Sequence, residues 1–164
     1  MHKKKVLGLA LSTVLALGIL SGCGAKATPT ATGALKDGTF KAEASDFDSK
    51  GWKPFVEITV KGGKITETKF DYTNKEGKLK TQDADYNKNM LEKSTASVKT
   101  NPQKYSPELA KALVEKQDPA KVDTVTGATS STKNFKELAA KAIEDGAKKG
   151  NSAVIKVVMP EEKK

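Results

Sequence analysis

Arginine is missing from this 164-residue chain; all 29 basic residues are lysine, set against 20 acidic ones. There is one histidine, His2, and one cysteine, Cys23, both close to the amino terminus. Each shortage closes off a class of chemistry. Beyond residue 23 there is no cysteine for a disulfide, a thiolate nucleophile or a cysteine-ligated zinc site. Without histidine in the same region, imidazole acid–base catalysis and Cys–His nucleophiles are excluded, and no metal site is expected. Any redox chemistry therefore has to be carried by something other than a side chain. Lysine also lacks the planar fork that grips phosphates bidentately and reads base edges, so nucleic acid is not expected as a partner. Setting aside Lys3, Lys4 and Lys5 at the amino terminus leaves 26 lysines against 20 acidic residues, a net charge of about +6. Such dispersed lysines suit a surface facing anionic lipid or wall polymer and suit simple solubility equally well.

What is present begins with a leader. Lys3, Lys4 and Lys5 precede an uncharged apolar run over residues 6–20. That run is shorter than the roughly 20 residues needed to span a bilayer, which marks a secretory signal. The run ends in Leu20-Ser21-Gly22-Cys23, which resembles the lipobox of bacterial lipoproteins. The resemblance implies cleavage after Gly22 and a diacylglyceryl thioether on Cys23, with palmitate-type chains as the anchor. Two acyl chains hold a protein stably where one holds it marginally. The plainer alternative is a secreted soluble protein with a spare thiol. Residues 15–22 could also be released as a pheromone peptide. Residues 23–36 are rich in Ala, Thr and Gly without apolar period, the pattern of a flexible tether.

From Asp37 the composition becomes globular, and residues 37–160 are enough for one domain, followed by a charged tail over 161–164. The turn signal Asp37-Gly38 leads into a strand from Thr39, and residues 46–52 read as a loop. Two runs, residues 55–60 and 64–72, flank Gly62-Gly63 and form a hairpin. Helices are predicted over residues 83–99, from a Ser106 cap with Pro107 first in the helix to about Gln117, and before Gly146 and Gly150. Residues 154–159 form a last strand. Strands first, helices in the middle and a late strand predict an α+β fold with a mostly antiparallel sheet.

Asp123-Thr124-Val125-Thr126-Gly127-Ala128-Thr129-Ser130-Ser131-Thr132 crowds hydroxyl groups around one Gly-Ala pair. On its own this reads as a glycine turn before a helix cap, with Asn134 and Glu137 resembling a capping box. The segment from Asp123 to Thr129 also resembles the flavinylation motif Asp-x-x-(Ser/Thr)-Gly-Ala-(Ser/Thr) of the FMN-binding domain family. That family includes subunits of the sodium-pumping NADH:quinone oxidoreductase, of Rnf complexes, and surface lipoproteins. Asp37-Gly38-Thr39-Phe40 and Val60-Lys61-Gly62-Gly63-Lys64-Ile65 resemble its amino-terminal signature. Residues 83–90 are similar to the pheromone-type lipoprotein branch of Gram-positive bacteria, which typically carries two such domains where this chain has room for one.

The resemblance implies FMN joined through its phosphate to Thr129, transferred from FAD by an ApbE-type flavin transferase. The phosphate would lie at the start of the last helix, with Ser130, Ser131 and Thr132 as hydroxyl donors. Thr126 would hydrogen-bond within the turn, Gly127 and Ala128 would keep the loop slim, and Asp123 would either assist the transferase or hold the loop. Tyr86, Met90 and Trp52 are candidates for ring contacts. The implied protein is a lipid-anchored flavoprotein on the outer face of a Gram-positive cell membrane. It would shuttle electrons from a membrane quinol or NADH dehydrogenase to extracellular acceptors, as a carrier more than a complete enzyme. A lipoprotein that binds a ligand without redox chemistry is the alternative.

Overall fold

Gly62 and Gly63 reverse the chain between two paired residues, Lys61 and Lys64, with φ of 59° and 73°. A two-residue turn with both φ values positive matches the twist of its flanking strands, and glycine adopts it without strain. Asp37 Oδ1 accepts from the Gly63 N–H at 3.1 Å, tying the start of the domain to the hairpin. The computed structural model of the protein describes residues 34–94 and 98–160. The leader, Cys23, most of the tether and the tail at 161–164 lie outside the described residues. Ahead of Asp37, Leu35 packs against the core and the Lys36 N–H donates to Ala147 O at 2.9 Å.

The strands are β1 (Gly38–Ala44), β2 (Lys53–Lys61), β3 (Lys64–Thr73) and β4 (Ile155–Val157), in the order β3-β2-β1-β4. All neighbours are antiparallel except β1 and β4. With the three α-helices of the described residues the architecture is α+β with a mostly antiparallel sheet, as the order of strands and helices predicts. Phe40, Ala42, Val56, Ile58, Val60, Phe70 and Tyr72 are buried in the core. Ile65 is out of phase with Phe70 and Tyr72, and a register shift restores it. Thr59 faces Glu67 while Val60 faces Ile65, so the bulge at Thr66 turns Ile65 back into the core. On the outer face Phe55 lies beneath Lys41 and Lys69, whose ammonium groups stand 4.8 and 5.8 Å from the ring centroid.

The last strand is shorter than residues 154–159. It pairs with β1 only from Ala42 to Ala44, where β1 ends, and Val158 is 82% exposed. Glu43 fastens this seam by bonding Lys41 at 2.9 Å, Lys53 at 3.0 Å and Lys156, thereby linking β1, β2 and β4.

The helices are α1 (Ala84–Lys93), α2 (Pro102–Lys116) and α3 (Thr129–Lys141), the last extended by a π-turn over Ala142–Ala147. α1 stops short of residue 99 because the Ser94 N–H and hydroxyl both donate to Met90 O, at 3.1 and 2.5 Å. α2 begins at Asn101-Pro102 and not at Ser106-Pro107. The two dipeptides carry the same start signal, and the earlier one adds Tyr105 to the buried Leu109–Leu113 stripe. Pro107 consequently sits inside the helix at the loss of one backbone bond, and buried Ser106 Oγ has no hydrogen-bond partner among the described residues. α3 starts five residues before the predicted Asn134 cap, because its core face runs back from Phe135 to buried Thr132. Gly146 does not end it. A Cβ there would lie 3.0 Å from Phe40 Cβ, so glycine is what lets the π-turn pack on β1.

Candidate functional site

The loop from Asp123 to Thr129 is tied down at both ends. Lys116, in the last turn of α2, donates to Asp123 Oδ2 at 2.5 Å. That pairing holds the Asp123 carboxyl below the usual carboxylate range and joins the loop to α2. The Ala128 N–H then bonds Val125 O at 2.9 Å, closing a turn whose third residue, Gly127, has φ 80°. A type II turn requires that value at that place. Val98 and Thr100 lie against Gly127, leaving no room for a side chain. Ala128 is buried and anchors the turn in the core.

Thr132 locks the turn from within. Its hydroxyl donates to Ala128 O at 2.9 Å and accepts from the Val125 N–H at 3.2 Å. Being 1% exposed and so engaged, it is not the phosphate donor that the sequence suggested. Thr126 also departs from expectation: it is exposed, and its side chain makes no hydrogen bond among the described residues, since backbone groups close the turn.

Thr129 is the first residue of α3, and both it and Ser130 are exposed. Among the described residues no side chain caps this helix, whereas Asp83 caps α1 and Asn101 caps α2. The first N–H groups of α3, beginning with that of Thr129, therefore lack an intrahelical partner and lie at the positive end of the helix dipole. Beside them opens a cavity of about 330 Å³, within the roughly 300–1,000 Å³ typical of small-molecule sites. It is lined by residues 127–131 and Asn134, by Tyr72, Lys80, Tyr86 and Met90, and by Asp48 and Lys50. Asn134 Nδ2 donates to the Tyr72 hydroxyl at 3.4 Å.

Of the ring-contact candidates, Tyr86 and Met90 line this cavity. Trp52 lines an adjoining one with Lys50 and meets Tyr86 edge-on, centroids 6.0 Å apart. Sequence reasoning missed Tyr72 and Lys80. Tyr72 could have been found, since it shares the inward phase of Phe70 in β3. Lys80 is 5% exposed, with its ammonium 4.4 Å from the Tyr86 centroid, 4.5 Å from Tyr72 and 5.4 Å from Trp52. Tyr105 is also buried, and burial pushes its phenol up, so it stays protonated. An exposed hydroxyl, N–H groups suited to an anion and an aromatic-walled cavity together fit a ligand with a phosphate at one end and a flat ring at the other.

The sequence profile of the FMN-binding domain family matches residues 51–144, a span that covers β2, β3, α1, α2, the motif loop and α3. The chain is 44% identical over 121 residues to the 15 kDa lipoprotein of Treponema pallidum (strain Nichols), covering 74% of this chain and 82% of that protein. It is similar in structure to the CPE2226 protein of Clostridium perfringens, known from a crystal structure. The TM-score is 0.70 at 38% identity, covering 77% of this chain and 99% of the other. With this profile across its cavity and motif loop, the chain belongs to the FMN-binding domain family.

Proposed function

We propose that this protein is a membrane-anchored, extracytoplasmic flavoprotein that carries FMN on Thr129 and passes electrons from a membrane donor to acceptors outside the cell. The observation that carries the reading is the placement of Thr129. Its hydroxyl stands exposed on the first residue of an uncapped helix, at the edge of an aromatic-walled cavity, in a chain of the FMN-binding domain family.

The residues present suit the group. A flavin transferase would break the pyrophosphate bond of FAD, join Thr129 Oγ1 to the FMN phosphorus, and release AMP and the hydroxyl proton. The N–H groups opening α3, with Ser130 beside them, would receive the phosphate. Gly127 and Ala128 keep the loop slim enough for the transferase to reach the hydroxyl. Tyr72, Tyr86 and Met90 offer the ring an apolar wall. FMN supplies reversible one- and two-electron transfer. The chain contributes binding, orientation and charge, and no histidine or cysteine of its own within the domain.

Anchoring falls to Cys23, in keeping with the name of the Treponema pallidum relative, a lipoprotein. A covalent link suits an outer surface, where a dissociating cofactor is lost by dilution. The donor would be a membrane quinol or NADH dehydrogenase, and the acceptor a metal oxide, a soluble flavin or a surface reductase. Intact-mass analysis after co-expression with a flavin transferase tests the reading. One FMN phosphoryl group should appear in the wild type and in Thr129→Ser, and be absent in Thr129→Ala. An unchanged wild-type mass contradicts it.

A further inference from the structure

Lys80 is the feature of the cavity that the reading above leaves unused. The chain has 29 basic residues, and lysine normally keeps its ammonium in water, because burying that charge costs several kcal/mol unless other groups offset it. Here the side chain is buried and its ammonium lies over three rings, those of Tyr86, Tyr72 and Trp52. Ring faces stabilise a cation, and more so when water is excluded.

The backbone around Lys80 is fixed as well. Asn87, buried on α1, donates from Nδ2 to Lys80 O at 3.0 Å and to Asp83 O at 2.7 Å, and its Oδ1 accepts from the Gln103 N–H at 3.2 Å. Buried Asp71 holds the next residue, accepting from the Thr81 N–H at 3.2 Å and from its hydroxyl at 2.6 Å. Two elements and two buried polar side chains thus serve to place one ammonium in the lining of the cavity that Thr129 also lines.

We propose that Lys80 is a potential-setting cation, a fixed positive charge that raises the reduction potential of the flavin bound in this cavity. The proposal rests on the assignment of FMN to Thr129. Two electrons and one proton added to a flavin near neutral pH leave one extra negative charge on the ring system. A cation held in a wall shielded from water favours that electron-rich form far more than an exposed lysine does, since the exposed charge is screened. The rings of Tyr86, Tyr72 and Trp52 lie 4.4, 4.5 and 5.4 Å from the ammonium and help to hold it in place. Lys80 positions charge and transfers no proton.

The test uses full-length wild type, Lys80→Met, Lys80→Arg and, as a charge control, Lys111→Met on the exposed face of α2, each loaded by the transferase. Loading is read by intact mass, folding by thermal melting of the unloaded protein, and the midpoint potential by spectroelectrochemical titration at pH 7. Lys80→Met should load and show a lower midpoint than wild type, while Lys80→Arg and Lys111→Met stay at the wild-type value. A loaded Lys80→Met with the wild-type potential overturns the proposal, as does a variant that loses only its loading. Should Lys80→Met not fold, the lysine Nζ resonance of wild type is compared between the oxidised and reduced loaded protein. A shift at Lys80 supports the proposal and an unmoved resonance overturns it. A wild type that gains no mass contradicts the Thr129 assignment and this proposal with it, whereas an altered Lys80 with an unaltered potential contradicts the proposal alone.

Discussion

Gly127 and Val98 touch across the motif loop so closely that a Cβ on Gly127 would lie 2.4 Å from Val98 Cγ1, with Thr100 Cγ2 at 3.1 Å. The glycine of the motif is therefore demanded twice, by its φ of 80° and by the segment lying over it. Gly127→Ala should destabilise the domain by about 2–4 kcal/mol, combining left-handed strain with overpacking. It should also reduce FMN loading, because the displaced turn carries Thr129. Urea unfolding of the unloaded protein checks the first effect. A loss under about 1 kcal/mol would show that the Val98 segment yields easily.

Glu43 gives the domain an acid-sensitive seam. Burial alone would raise its pKa, but Lys156, Lys41 and Lys53 outweigh burial and hold it at about 2, against an ordinary value of 4.5. Because the folded pKa lies below the unfolded one, the contribution is fully present above pH 4.5 and is lost as pH falls toward 2. Wild type should lose on the order of 2–3 kcal/mol more than Glu43→Gln across that window. Parallel slopes for the two proteins would contradict the assignment. Amide exchange at Lys156 should quicken over the same range, since β4 is held to β1 by only three residue pairs.

Gln117 closes α2 in the left-handed region, φ 57°, and its side chain imitates a strand neighbour for Ile65. Ile65 N–H donates to Gln117 Oε1 at 2.8 Å, and Gln117 Nε2 donates to Ile65 O at 2.8 Å. Gln117→Ala loses both bonds and keeps the strain, so it should cost about 1–3 kcal/mol. Gln117→Gly loses the bonds and relieves the strain, by about 1 kcal/mol. Stability should rank wild type, glycine, alanine. Alanine above glycine in thermal melts would mean that the left-handed strain does not govern this position, and either variant matching wild type would mean that the side-chain pairing does not.

These residues also mark how far the sequence could be read. The runs over residues 55–60 and 64–72 with the glycine pair between them made the hairpin legible, and the motif was legible as a linear string. The bulge that turns Ile65 inward was not, because a register shift depends on the partner strand. The start of α2 was ambiguous since Asn101-Pro102 and Ser106-Pro107 carry one local signal, and only packing of Tyr105 on the sheet decides between them. Thr132 looked like the hydroxyls around it until its burial assigned it to the loop. Lys80 had no signature at all. One lysine among 29 basic residues becomes distinctive only when Tyr72, Tyr86 and Trp52 converge on it from separate elements.

The most direct measurement is peptide mapping by mass spectrometry of the protein purified from its native host, read on the tryptic peptide spanning residues 122–133. The account predicts that this peptide carries one FMN phosphoryl group and that fragmentation places it on Thr129. A peptide recovered bare, or one bearing the group on Thr124, Thr126, Ser130 or Ser131, would contradict it.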